Sequence, residues 1–159
     1  MKLLASLLTP VITLASSWVE EQEARILAKG TALTPGQKAD AGKAGVAHPE
    51  KIRIKFAHSI KPPKQLVLGV ASQLTHILGP DTAGLTLRYG IFIRNDCQNY
   101  RMHRELYLHE FVHVAQYERS GSIAAFLTSY LHECLVPGYP NGPLEQEAIR
   151  QAAKIMRQR

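Results

Sequence analysis

The sequence predicts an α+β domain that is mainly helical, and three observations carry that prediction. Two runs alternate apolar and polar residues with period two, as half-buried strands do. Several longer runs repeat their apolar residues at i, i+3, i+4 and i+7, the spacing of one helix face. The length, 159 residues, fits one ordinary domain with a core of its own. Hydrophobic residues make up 45% and charged residues 20%, with 11 Gly and 9 Pro, which excludes collagen-like, disordered and disulfide-framework chains.

The chain divides into residues 1–17, 18–50 and 51–159. An apolar run from Leu3 to Ala15 follows Met1 and Lys2 and ends in Ala15-Ser16-Ser17. It reads in one of two ways. As a secretory signal cleaved before Trp18 it would carry the protein out of the cytoplasm, to the periplasm in a bacterium. As the start of an N-terminal helix reaching Gly30 it fits a cytoplasmic protein equally well. The run is too short for a stable membrane span. Residues 28–50, rich in Gly and Pro, read as loop with at most a weak short helix. Ile52, Ile54 and Phe56 alternate with Lys51, Arg53 and Lys55, predicting a strand over 51–57. Pro62 and Pro63 open a helix that Gly79-Pro80 stops. Leu85 to Arg94 alternates throughout and reads as one second strand ending at Asn95-Asp96. Three helices follow at about 101–120, 122–134 and 143–157, broken by Gly121 and by the loop from Pro137 to Pro143.

Nineteen Lys and Arg stand against 13 Asp and Glu, a net charge of +6. Seven of the basic residues lie in 51–100 against two acidic ones, and among them Lys51, Arg53 and Lys55 alternate with apolar residues as on the solvated face of a strand. No aromatic stacking platform accompanies them, so nucleic acid is not an expected partner. An anionic-surface binder without metal remains the third functional class, behind two that hold a metal. Cys97 and Cys134 belong to no CxxC or Cys/His knuckle, which rules out a structural zinc finger and leaves room for one disulfide, expected only if the protein is exported.

The informative segment is His109-Glu110-Phe111-Val112-His113, an H-E-x-x-H pattern inside a predicted helix. Four residues are close to one helical turn, so His109 and His113 project from one face and can share a metal ion, while Glu110 points about 100° away. With 7 His and 10 Glu in the chain, composition alone yields about 0.02 such patterns. Apolar neighbours (Leu106, Leu108, Phe111, Val112, Val114 and Ala115) mark the helix as central and buried, where two histidines and a glutamate need partners.

A catalytic zinc site takes three protein ligands and keeps one position open. The last helix offers the third. Gly142 suits its N-cap and Pro143 its first turn, and Glu145 then falls among Leu144, Ala148, Ile149 and Ala152, whereas Glu147 falls beside Arg150 and Lys154. Glu145 is the first candidate, Glu147 the second, and one of the remaining histidines the third. Glu145 could instead serve only as a capping-box residue in the first turn.

The runs HEFVHVAQY at 109–117 and NGPLEQEA at 141–148 resemble the gluzincin type of zinc metallopeptidase, especially its minimal bacterial forms. The likeness spans roughly 51–157, with motif identity confined to those two runs. It implies a zincin-like arrangement: a small twisted sheet whose edge borders the substrate cleft, packed on a central H-E-x-x-H helix and a following helix bearing the glutamate. It further implies Zn2+ held by His109, His113 and Glu145, with Glu110 as general base and a peptide or protein as substrate. Many such enzymes place an acidic residue four positions after the ligand glutamate to orient a histidine. Here that position is Ile149, so the orienting group must come from elsewhere.

For an oxyanion-stabilising donor the candidates are Tyr117, Tyr139 and His132, each with an ordinary packing or surface role as the alternative. Gln116 could hydrogen-bond near the site or simply face solvent. His48, His58, His76 and His103 read as unrelated to the metal. Two functional classes lead: a zinc peptidase, and a catalytically inactive zinc-binding module of the same fold.

Overall fold

The computed structural model describes residues 2–59, 78–79 and 81–158. The chain is α+β, with α1 (Lys2–Lys29), β1 (Thr31–Ala32), α2 (Pro35–Lys43), β2 (Arg53–Ala57), β3 (Gly84–Leu87), β4 (Gly90–Arg94), α3 (Arg104–Ser120), α4 (Ile123–Glu133) and α5 (Pro143–Met156). Short 3-10 turns at Pro49–Lys51 and Asn95–Cys97 join some of them. The helix expected after Pro62-Pro63 lies outside the described residues. Among the described residues no helix is long and apolar enough to cross a membrane.

The four strands form one mixed sheet in the order β1-β2-β4-β3, parallel between β2 and β4 and antiparallel elsewhere. Ile52, Ile54, Ile91 and Ile93 turn one face of it onto α3, where Leu108, Phe111 and Ala115 are fully buried, and Ala148 and Ala152 of α5 close the far side of that helix. A second apolar cluster joins Val19 and Ile26 of α1 to Leu87, Tyr117 and Phe126. Truncating a fully buried Phe111 to alanine would cost about 3–5 kcal/mol on this account.

Two expectations are corrected, and one question left open by the sequence is answered. The run 85–94 is a hairpin, not one strand: it turns at Arg88-Tyr89, with Arg88 in the left-handed region at φ 58°. The turn lacks an Asn-Gly or Asp-Gly signal, and what holds it is remote. Glu23 of α1, almost fully buried, accepts from Arg88 Nε at 2.9 Å, from an Arg88 terminal nitrogen at 2.7 Å and from the Tyr89 amide at 3.0 Å. Residues 28–50 are more ordered than their glycines suggest. Thr34 and Gln37 make a reciprocal capping box with Pro35 in the first turn, and this starts the nine-residue α2. The cysteines form no disulfide; Cys97 and Cys134 are both free thiols and both buried.

The N-terminal run is helical and belongs to one unbroken helix, since α1 passes through Pro10 and beyond Trp18 to Lys29. Its Ala15 and Val19 are buried against the rest of the chain.

Asp40 ties α2 to the start of α3. Its carboxylate accepts from Arg104 Nε at 2.7 Å and from a terminal Arg104 nitrogen at 2.8 Å, and it also accepts from the Tyr100 hydroxyl. Arg104 holds the Asp40 carboxyl below the usual carboxylate range, against the opposing pull of burial. A depressed carboxylate pKa adds stability that is present above the unfolded value, near 4, and lost as pH falls through the folded value. Asp40→Asn should therefore destabilise the fold by about 2–3 kcal/mol at neutral pH. In urea titrations its deficit against the wild type should shrink as the pH drops below about 4.

Candidate metal centre

Helix α3 ends where expected, with Gly121 at φ 79° as its left-handed stop. On its inner face the His109 and His113 rings lie edge to face, with Nε2 atoms 3.0 Å apart. Helix α5 supplies the third donor. Its first turn begins at Gly142 and Pro143, and the cap comes from Glu133 of α4, whose carboxylate accepts the Leu144 amide at 2.8 Å. Glu145 is thereby released from capping. Its Oε1 lies 3.0 Å from His109 Nε2 and its Oε2 3.4 Å from His113 Nε2.

These three residues offer one ligand atom each, all within 4.8 Å of one another. Zinc bonds of 2.0–2.1 Å at tetrahedral angles set donor atoms about 3.3 Å apart; the two imidazole nitrogens stand 3.0 Å apart, and the Glu145 carboxylate turns a different oxygen to each of them, Oε1 to His109 at 3.0 Å and Oε2 to His113 at 3.4 Å. Imidazole, imidazole and carboxylate are also the donor types that zinc takes in a catalytic site. The set fits a divalent ion by the chemistry of its donors, gathered within 4.8 Å.

Electrostatics agree with the geometry. Burial opposes ionisation of Glu145, yet hydrogen bonds and charge from His109 and His113 outweigh it and hold the carboxyl well below its ordinary range. Burial likewise opposes the cationic form of His113, but the bond to Glu145 and the charges of Glu110 and Glu145 keep its pKa raised. A cation held there would replace that protonic charge, so metal loading should improve as pH rises.

The orienting group that Ile149 cannot provide is Gln116. Its Oε1 lies 2.8 Å from His113 Nδ1, while its amide nitrogen donates to Leu144 O and to Glu147, each at 2.8 Å. With the nitrogen so engaged, Oε1 must accept from Nδ1–H, which leaves the lone pair of His113 on Nε2, facing His109 and Glu145. Gln116 is fully buried, not solvent-facing. Glu147 points away from the donor cluster, as the helical rotation predicts, but its partners are Arg119 and Gln116, not Arg150 and Lys154. Ile149, expected on the apolar face, is 40% exposed at the cavity rim.

Glu110 is buried between α3 and the edge strand β3. Its Oε2 lies 2.7 Å from Thr86 Oγ1, which donates to it. Gly84 makes room for the carboxylate: a Cβ there would sit 2.6 Å from Glu110 Oε1. Beside the cluster opens a cavity of about 640 Å3 that reaches Glu110, Tyr139 and the three donor residues.

The tyrosine candidates separate. Tyr117 also touches the cavity, but its ring is stacked on Phe126, ring centroids 3.8 Å apart, inside the second apolar cluster, and burial raises its pKa. Tyr139 lines the cavity; burial and then the charges of Glu145 and Glu110 push its pKa up to about 12. His132 is exposed and is not part of the lining. His48 pairs with Glu50 and His103 sits at the N-cap of α3, both away from the cluster, while His76 lies outside the described residues. Sequence reasoning missed Tyr130 and Thr86. The Tyr130 hydroxyl donates to Glu145 Oε2 at 2.9 Å, and its ring meets that of His113 edge-on. Tyr130 lies on a different helix with no spacing relation to the motif.

The chain matches no family model, no curated protein and no solved structure.

In zinc competition titrations Glu145→Gln should weaken binding by at least about tenfold. Glu147→Gln, which alters contacts to Gln116 and Arg119 but touches no donor, should weaken it less, and the opposite ranking would show that α5 is rotated relative to α3.

Proposed function

We propose that the protein is a zinc-dependent peptidase of zincin-like type, with His109, His113 and Glu145 as metal ligands and Glu110 as general base. One observation carries the reading. Three donors of the right kind converge within 4.8 Å of one another, and a further carboxylate that is not among them is held at the same cavity by Thr86. The H-E-x-x-H helix, the glutamate-bearing helix and an edge strand at the cavity are the parts that the gluzincin resemblance implies.

Zinc in such a donor set supplies Lewis acidity, which makes water acidic near neutral pH and polarises a carbonyl. Everything else is the work of the chain. Glu110 accepts a proton from the attacking water as its oxygen bonds to the scissile carbonyl carbon. It then delivers that proton to the amine nitrogen as the C–N bond breaks, so water is consumed and two peptides leave. Thr86 fixes one carboxylate oxygen by donating to it, leaving Oε1 to take the proton. Tyr139, at the cavity, is the hydroxyl donor for negative charge on the carbonyl oxygen, while the Tyr130 hydroxyl is committed to Glu145. Gln116 keeps His113 in the tautomer that a metal requires.

The purified protein should carry about one zinc per chain, removable by a chelator and lost in His109→Ala and His113→Ala. Glu110→Gln should keep the zinc and lose peptide hydrolysis. Wild-type activity in that variant would remove Glu110 as the base, and zinc without hydrolysis in the wild type would favour the inactive metal-binding module.

Gly84→Ala tests the seating of Glu110. A methyl group pushed against its carboxylate should lower kcat by about a hundredfold, the effect of a displacement near 1 Å. Zinc content should change little, because none of the three ligands is touched.

A further inference from the structure

The cavity has two unlike ends. Glu110, Tyr139 and the donor cluster form one. The other is apolar and is walled by three elements: Trp18 and Val19 of α1, Leu85 and Leu87 of β3, and Leu127 and Leu131 of α4. Helix α1 bears neither motif and precedes the segment that carries them, yet it supplies one of those walls.

We propose that this apolar lobe binds a bulky aliphatic or aromatic side chain of the substrate polypeptide, next to the bond that is cleaved, so that α1 forms part of the substrate site. The proposal rests on the peptidase reading for the identity of its ligand. Its support is the shape and chemistry of the space. A volume of about 640 Å3 lies within the range of ligand sites, far above the voids that a packed interior leaves. The lobe is continuous with the donor cluster, so whatever fills it belongs to the molecule positioned there. An apolar group gains from leaving water for such walls. An anionic one finds no partner: among the described lining residues there is no Lys or Arg, and the carboxylates that line the cavity, Asp81, Glu105, Glu110 and Glu145, would repel it.

Trp18 is the one tryptophan in the chain, so its fluorescence reads occupancy of the lobe without any turnover. The probes are two capped dipeptide hydroxamates that differ in a single side chain, Phe or Gly, titrated into the full chain with zinc and after chelation. The Phe probe should shift Trp18 emission and bind at least about tenfold more tightly than the Gly probe in both metal states. Ala15→Leu, which fills the lobe, and Leu85→Asp, at a half-buried wall position, should each erase that preference. Equal affinities for the two probes, or an emission that the Phe probe leaves unmoved, would overturn the proposal. The peptidase reading fails differently: zinc would then strengthen neither probe while the preference for Phe persisted.

Discussion

One constraint organises the molecule: a central helix carries a row of polar side chains into a core that must satisfy each of them. Glu110, His113 and Gln116 are all under a tenth exposed, and His109 is half-buried. Each buried donor or acceptor left without a partner would cost about 1–3 kcal/mol. The partners come from three other elements: Glu145 and the Leu144 carbonyl from α5, Thr86 from β3, and Tyr130 from α4 acting through Glu145. Among the described residues only Ser16 Oγ is buried without a partner. The packing of α5 and β3 against α3 is therefore a matter of polar pairing as much as of apolar burial.

That pairing is reciprocal. Glu145 could have served its own helix terminus, but Glu133 takes over the capping of α5 at the Leu144 amide. The Glu145 carboxylate is free to stand between two imidazoles, and its acidity reflects them. Gln116 extends the arrangement outward to Glu147 and Arg119, so the rotamer of His113 is set by a chain of contacts that ends at the surface. Precise seating of this kind is what a metal ion demands of its ligands, since an error of a few tenths of an ångström in donor position spoils the coordination.

Helix α1 reaches the same site from the other side. Glu23 holds the Arg88-Tyr89 turn, and the turn makes β3 and β4 a hairpin. Without that reversal, β3 would not lie at the sheet edge where Thr86 meets Glu110 and where Gly84 clears the space for its carboxylate. Glu118 of α3 reinforces the turn by accepting from the Tyr89 hydroxyl, and burial together with that contact pushes the Tyr89 pKa up to about 12. An ion pair between the first helix and a strand turn thus bears on the placement of a carboxylate that neither of them touches.

Much of this was legible in the sequence wherever the information is local. The one-turn spacing of His109 and His113, the rotation that separates Glu145 from Glu147, and the boundaries set by Gly121, Gly142 and Pro143 come from helical geometry, which short-range residues dictate. The capping box at Thr34 and Gln37 was legible too, had it been weighed above the glycines around it. The tertiary structure alone decided the rest. Residues 85–94 alternate without interruption, and only a buried glutamate 65 positions earlier makes Arg88 turn. Tyr130, Thr86 and Gln116 became parts of the site because α4, β3 and α5 pack there. No periodicity along the chain encodes which side chains will meet across a core.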